Sequence, residues 1–284
     1  MEKQKAALLS IYSNTALITF KIIAGLLMNS ISVISEAIHS GIDLMASFVA
    51  YFSIKKASQP KDDDHPFGHG KFENVSGAFE AILIFLAAGL IIYEAIKKIM
   101  YVPELKSIEA GIGVMLISAI VNTFISRTLF KVSKKSDSIA LEADAWHLLT
   151  DVYTSAGVMV GLIIIKITNL EIIDPIIAMM VAAMIIKASI DLTRKTLGGL
   201  VDESLPKHEI QTIVDIIKQH SAILNYHKLR TRKSGNIREI DIHVIVNKEN
   251  SLTDVHSLCY DIENHIKNVL PGSYVTIHIE PEEE

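Results

Sequence analysis

Up to about Thr196 the 284-residue chain is a succession of apolar runs of roughly 20 residues, and beyond it no run approaches the ~18 needed to cross a bilayer. Lipid offers the backbone no hydrogen-bond partner, so each run must satisfy its own N–H and C=O groups as a helix. Six spans can be drawn: about Ala6 to Met28, Ile31 to Ile54, Val75 to Lys97, Ile108 to Phe130, Ile139 to Ile165 and Ile172 to Thr193. Hydrophobic residues make up 50% of the chain and charged ones 21%, so the polar material must be segregated into links and a tail. The expected architecture is an all-α six-helix transmembrane domain over residues 1–200, followed by a cytoplasmic α+β domain over 201–284. A single cysteine, Cys259, excludes a disulfide framework or a thiolate cluster within one chain, and a net charge of −5 gives no reason to expect nucleic acid. Lys3 and Lys5 precede a first run that is long and lacks a small-residue cleavage site, so it is expected to remain as a helix in the membrane.

Basic residues set the expected orientation. Lys3, Lys5, Lys55, Lys56, Lys61, Lys71, Lys131, Lys134, Lys135, Arg194 and Lys195 fall on one side of a six-span chain, against mainly Lys97, Lys98, Lys106 and Lys166 on the other. That predicts a multi-pass protein of the cell membrane with both termini in the cytoplasm.

Two spans carry matching motifs, His39-Ser-Gly-Ile-Asp43 and His147-Leu-Leu-Thr-Asp151. A spacing of four residues puts both side chains on one helix face, and an ionisable residue at bilayer depth costs about 2.5 to 3.5 kcal/mol on insertion scales. A shared four-ligand cation site explains both motifs at once. Two nitrogens and two carboxylates suit tetrahedral Zn²⁺, whereas Mg²⁺ or Ca²⁺ would prefer an all-oxygen shell. Glu36 and Asp144 extend the same polar faces as candidate partners of the histidines, or as proton carriers. Lys21 is a candidate to snorkel, Asn14, Thr15 and Thr19 are candidates for helix–helix hydrogen bonds, and Glu80 with Lys187 is a candidate ion pair.

Two further clusters lie outside the spans. The link after the second span reads Asp62-Asp-Asp-His-Pro-Phe-Gly-His-Gly-Lys71; Asp62, His65 and His69 suit a peripheral cation, or belong to a solvated charged loop. The tail holds His227, His243, His256, His278 and Glu280, each of which alone would suit a surface position. Its helix over Lys207 to Gln219, strands over Leu224 to Arg232 and Ile237 to Val246, helix over Leu252 to Val269 and strand over Tyr274 to Glu280 give an α-β-β-α-β, ferredoxin-like order. Ser251 and Asp254 have capping-box spacing before the second of these helices, and Lys233-Ser-Gly-Asn236 marks a turn.

Together these residues resemble the cation diffusion facilitator family over nearly the whole chain. The likeness rests on the six spans, the αββαβ tail, Ala37-Ile-His-Ser-Gly-Ile-Asp43, Asp-His65-Pro-Phe-Gly-His-Gly-Lys71, Glu142-Ala-Asp-Ala-Trp-His147-Leu-Leu-Thr-Asp151 and Leu229-Arg-Thr-Arg-Lys-Ser-Gly235. The resemblance implies a homodimeric divalent-metal efflux transporter that exchanges its ion for protons. It implies a transport site of His39, Asp43, His147 and Asp151, a loop site of Asp62, His65 and His69, and a binuclear tail site drawn from His227, His243, His256, His278 and Glu280. A salt bridge of Lys71 with Asp202 is implied as well. Bacterial efflux members place Asp where this chain has His39, and His there resembles the zinc-selective branch; Glu280 also stands where that bacterial group has Asp. Zn²⁺ is therefore the expected substrate, with Mn²⁺, Fe²⁺, Co²⁺ and Cd²⁺ as alternatives. A membrane metalloenzyme is the rival expectation, but the chain contains no H-E-x-x-H motif.

Overall fold

The computed structural model describes residues 2–27, 31–100, 108–168 and 172–282; within the helices, the side chains of residues 31–36, 38, 39, 98, 108–112, 158, 161–163, 165, 166 and 174 fall outside that description. Six long helices occupy the first 200 positions: α1 (Glu2–Leu27), α2 (Ile31–Ala57), α3 (Lys71–Met100), α4 (Ile108–Ser136), α5 (Ile139–Thr168) and α6 (Ile173–Leu200). At about 1.5 Å per residue each is roughly 40 Å long, more than the ~30 Å hydrocarbon layer requires. Among the described residues, α1, α3, α4 and α6 hold stretches long and apolar enough to cross a membrane. The other two, α2 and α5, contain residues whose side chains fall outside the description, 31–36, 38 and 39 in α2 and 158, 161–163, 165 and 166 in α5.

This bundle is polar inside and apolar outside. Phe52, Phe85, Leu86, Leu90, Phe124 and Met184 are exposed, whereas Asn14, Lys21, Asp43, Ser47, Glu80, Asn122, Asp144 and His147 are buried. Water would favour the reverse arrangement, so the outer surface is one made for lipid. Fully buried Ala7, Ala140 and Ala145 pack with Ile54, Leu129 and Leu141, small side chains that let helices approach closely where no hydrophobic drive separates them from lipid. Asn14 Nδ2 donates to Ser47 Oγ at 2.9 Å across α1 and α2, while Thr15 and Thr19 donate to carbonyls of their own helix. Two expectations need correction. Lys21 does not snorkel: it is buried and donates to Ser40 Oγ at 2.7 Å, because α1 turns that face toward α2. Glu80 does not pair with Lys187: both its carboxylate oxygens are buried without a hydrogen-bond partner, and Lys187 lines a separate hollow with Asp191.

Polar contacts gather the helix ends. Lys3 Nζ donates to Glu73 Oε1 at 2.9 Å, Ser138 Oγ to Glu73 Oε2 at 2.5 Å, Lys135 Nζ to Glu2 Oε1 at 3.1 Å, and Asn74 Nδ2 to the Thr196 carbonyl at 3.3 Å. The starts of α1, α3 and α5 therefore share one end of the bundle with the ends of α4 and α6.

Chain contacts divide the molecule into Met1–Leu197 and Gly198–Glu284. In the second unit, α7 (Lys207–Lys218) and α8 (Leu252–Val269) accompany a three-stranded sheet of order β1-β2-β3, built from β1 (Ile223–Ser234), β2 (Ile237–Val246) and β3 (Ser273–Pro281). β1 and β2 run antiparallel and β2 and β3 parallel, so α8 serves as the crossover that a parallel pair requires. Ile240, Ile242 and Val244 of β2 pack against Ile213 and Ile217 of α7 and Ile262 and Ile266 of α8. The period of two then turns His243 to the opposite face of the sheet. The turn is tighter than the four residues expected: Ser234 pairs with Ile237, leaving Gly235 and Asn236 between them, with Gly235 at φ 60°. Glycine at the first of two linking residues meets the positive φ there without a Cβ penalty. Ser251 Oγ accepts from the Asp254 N–H at 3.2 Å and caps α8.

Candidate metal centres

The first centre lies between α2 and α5. His147 Nε2 donates to Asp43 Oδ1 at 3.0 Å, with both side chains buried, and one ligand atom each from Asp43, His147 and Asp151 fall within 4.8 Å of one another. His147 and Asp151 share a face of α5 because they are four residues apart. The side chains of His39 and Glu36 lie outside the described residues. Asn122 of α4 donates from Nδ2 to Asp151 Oδ2 at 3.4 Å and holds that carboxylate. Sequence reasoning missed Asn122, whose only signal is an amide inside an apolar run. Asp144 does not hydrogen-bond His147: its Oδ1 accepts from Ser47 Oγ at 3.3 Å, and His147 Nδ1 is buried without a partner. A cavity of about 460 Å³ reaches Asp43 and Asp151 and is lined by Lys21, Glu94 and Pro175. These residues place its mouth toward the end of the bundle opposite Lys3 and Glu73.

The second centre closes on itself within the link between α2 and α3. Asp62 Oδ1 accepts from the His65 N–H at 2.7 Å and from His65 Nδ1 at 3.0 Å, and Asp62 Oδ2 stands 3.3 Å from His69 Nε2. The two imidazole rings are 4.3 Å apart between centroids. The His69 side chain is buried, and neither of its nitrogens has hydrogen-bond geometry to any acceptor among the described residues. Partial desolvation pushes the Asp62 carboxyl up, but hydrogen bonds from the His65 side chain and backbone outweigh it and hold the group below its ordinary range. Gly68, at φ 87°, lets the chain turn back toward α3.

The third centre occupies the sheet face not covered by helices. His227, His243 and His278 are in register across the three strands, and Glu280 follows His278 on the same face. His243 Nδ1 donates to Glu280 Oε1 at 2.7 Å, His227 Nε2 is 3.2 Å from Glu280 Oε2, and His278 Nε2 is 3.7 Å from Glu280 Oε1. The hydrogen bond from His243, with the nearby His227, holds the Glu280 carboxyl below its ordinary value against partial desolvation. A register shift between His227 and Arg230, with Lys228 at φ 49°, marks a bulge beside His227, a device that re-aims a side chain locally. His256 lies exposed on α8 and is not among the three residues, His227, His243 and Glu280, whose ligand atoms converge. Asp202 accepts from Arg232 Nη1 at 3.2 Å. Burial and the nearby Glu263 push the Cys259 thiol up, away from the thiolate a metal would need.

Residues 7–201 match the family model of the cation efflux transmembrane domain, and residues 205–282 that of the cation efflux protein cytoplasmic domain. An uncharacterized transporter of Synechocystis sp. is 34% identical over 98% of this chain and 90% of its own length. The cation-efflux pump FieF of Cronobacter sakazakii is 29% identical over 98% of this chain and 92% of its own length. Among solved structures, the metal-bound C-terminal domain of the CzcD transporter from Thermotoga maritima is 25% identical, covers 27% of this chain and 94% of that one, and has a TM-score of 0.25. The chain belongs to the cation efflux, or cation diffusion facilitator, family: it is a multi-pass membrane transporter of metal cations with a cytoplasmic C-terminal domain, and not an enzyme.

Proposed function

We propose that this transporter exports Zn²⁺ from the cytosol in exchange for protons, through a transport site of His39, Asp43, His147 and Asp151. The observation that carries the reading is the hydrogen bond from His147 Nε2 to Asp43 Oδ1 at 3.0 Å, buried beside Asp151. A proton held between an imidazole and a carboxylate occupies the lone pairs that a divalent cation would take, so each displaces the other. Two nitrogens and two carboxylates suit tetrahedral Zn²⁺, with Mn²⁺, Fe²⁺, Co²⁺ and Cd²⁺ as the alternatives. All six long helices cross the membrane in this reading. The end gathered by Lys3, Lys135 and Glu73 faces the cytoplasm, as the bias of basic residues requires.

Asp62, His65 and His69 form a peripheral cation site. His227, His243, His278 and Glu280 form the tail site, at which two copies of the tail associate; His256, on the other layer of the tail, joins it only if the partner copy supplies it. Metal bound by these residues draws two tails together, which makes the tail a cytosolic metal sensor. Stopped-flow flux in proteoliposomes, run with Zn²⁺, Mn²⁺, Fe²⁺, Co²⁺ and Cd²⁺, tests the assignment. Zn²⁺ should be carried fastest, and Asp43→Ala or Asp151→Ala should abolish its flux. Flux of Zn²⁺ at the normal rate in either variant overturns the transport site.

A further inference from the structure

We propose that Glu80 and Asp144 form a proton-binding site of the membrane domain, distinct from the metal ligands; the proposal rests on the proton-coupled reading of metal efflux. Glu80 lies on α3 with no exposed surface, and neither Oε1 nor Oε2 has a hydrogen-bond partner. Ala81 and Ala143, the chain neighbours of Glu80 and of Asp144 on α5, pack in one buried cluster; Asp144 is also fully buried, its Oδ1 accepts from Ser47 and its Oδ2 has no partner. Three of the four oxygens thus lack a donor in the interior of a bundle that faces lipid. An ionised carboxylate is not sustained there without donors or a cation, and a second carboxylate nearby makes double ionisation worse. The pair must therefore retain a proton.

The surroundings supply no substitute for that proton. Among the described residues, Asp144 is the charged group that acts on Glu80. On the elements packed around the pair, α5 adds His147 and α2 adds Asp43, both of which act on Asp144, and α1 adds the neutral Ser10. α6 packs Ile185 and Leu192 against this part of α3, and Ser189 spends its hydroxyl on the Ala81 carbonyl. Two carboxylates with no imidazole converging on them are a poor cation site, and the metal cavity reaches neither Glu80 nor Asp144. A proton is the ligand that fits.

Position couples this proton to the metal. Asp144 precedes His147 by one turn of α5, so a divalent cation held by Asp43, His147 and Asp151 favours the ionised form of Asp144 and expels the shared proton. By reciprocity, protonation of the pair weakens the hold on the cation. On α3, Ser76 and Glu73 stand four and seven residues before Glu80 on the same face, both buried. Ser76 Oγ has no partner, and Glu73 accepts from Lys3 and Ser138 at the cytoplasmic end. This polar stripe gives the proton a route along α3, while the cavity on the opposite side of the site serves the ion.

Full-length protein in detergent tests the proposal through two readouts: protons released per Zn²⁺ bound, by calorimetry in buffers of differing ionisation enthalpy, and the carbonyl-stretch band of a protonated carboxylic acid in the infrared spectrum. Glu80→Gln should release about one proton fewer per Zn²⁺ than the parent and lose the band; Glu80→Met, which keeps the volume without an orphan amide, should do the same. An unchanged proton count with the band retained in both variants overturns the proposal. If the parent protein instead shows no Zn²⁺-driven proton movement in vesicles, the antiport reading fails, and the infrared band still decides whether Glu80 carries a proton.

Discussion

At the scale of single residues, each ligand of the proposed transport site has few supporting partners. Asp151 is held by Asn122 at 3.4 Å, and removing such a supporting partner typically lowers metal affinity ~10- to 100-fold. Asn122→Leu should therefore weaken Zn²⁺ binding by about that factor while leaving the fold intact, read by competition against a fluorescent chelator. In the tail, Glu280 owes its lowered carboxyl chiefly to the hydrogen bond from His243. A group whose folded value is depressed stabilises the fold above its ordinary value, near 4.5, and loses that contribution as pH falls through the folded value. Urea midpoints of the metal-free protein should therefore fall below pH 4.5 more steeply in the parent than in Glu280→Gln. That Asp43, His147 and Asp151 come together was legible from spacing, because ionisable residues in a lipid-spanning run need a reason. Asn122 was not, since an amide there also suits ordinary helix–helix bonding, and Lys21 was misread because sequence does not tell which face of α1 meets α2.

At the scale of elements, close helix approach positions the site. A Cβ on Gly77 of α3 would lie 2.7 Å from Thr196 Cγ2 of α6, and one on Gly157 of α5 would lie 2.9 Å from Val181 Cγ2. Gly77→Ala should cost about 1 to 3 kcal/mol by overpacking, seen as a lower thermal midpoint in detergent. Adding Thr196→Ser, which removes the offending methyl and keeps the hydroxyl bond to the Thr193 carbonyl, should recover most of the loss. No recovery would place the cost elsewhere. The tail elements could be read closely from alternation at Ile240, Ile242 and Val244 and from the cap at Ser251. The bulge at Lys228 could not, because nothing in Leu224 to Arg232 marks an inserted residue when the partner strand is unknown.

At the scale of the molecule, the chain separates what lipid accepts from what it does not: apolar side chains outside, and a buried column of carboxylates, imidazole and hydroxyls within. Segregation along the sequence made the helical domain and the polar tail visible before any contact was known. Which polar residues meet across helices depended on packing angles that sequence does not encode, so Asp144 proved to bond Ser47, and Glu80 to be buried with no hydrogen bond from Lys187. The central claim is that one buried site trades a metal ion for protons through His147 and Asp43. The most direct test loads proteoliposomes with a pH-sensitive and a zinc-sensitive dye together and follows both signals after Zn²⁺ is added. The parent protein should move protons against Zn²⁺ with a fixed ratio, and His147→Ala should lose both signals together. Zinc flux with no proton counterflow in the parent, or coupled flux that survives His147→Ala, would contradict the account.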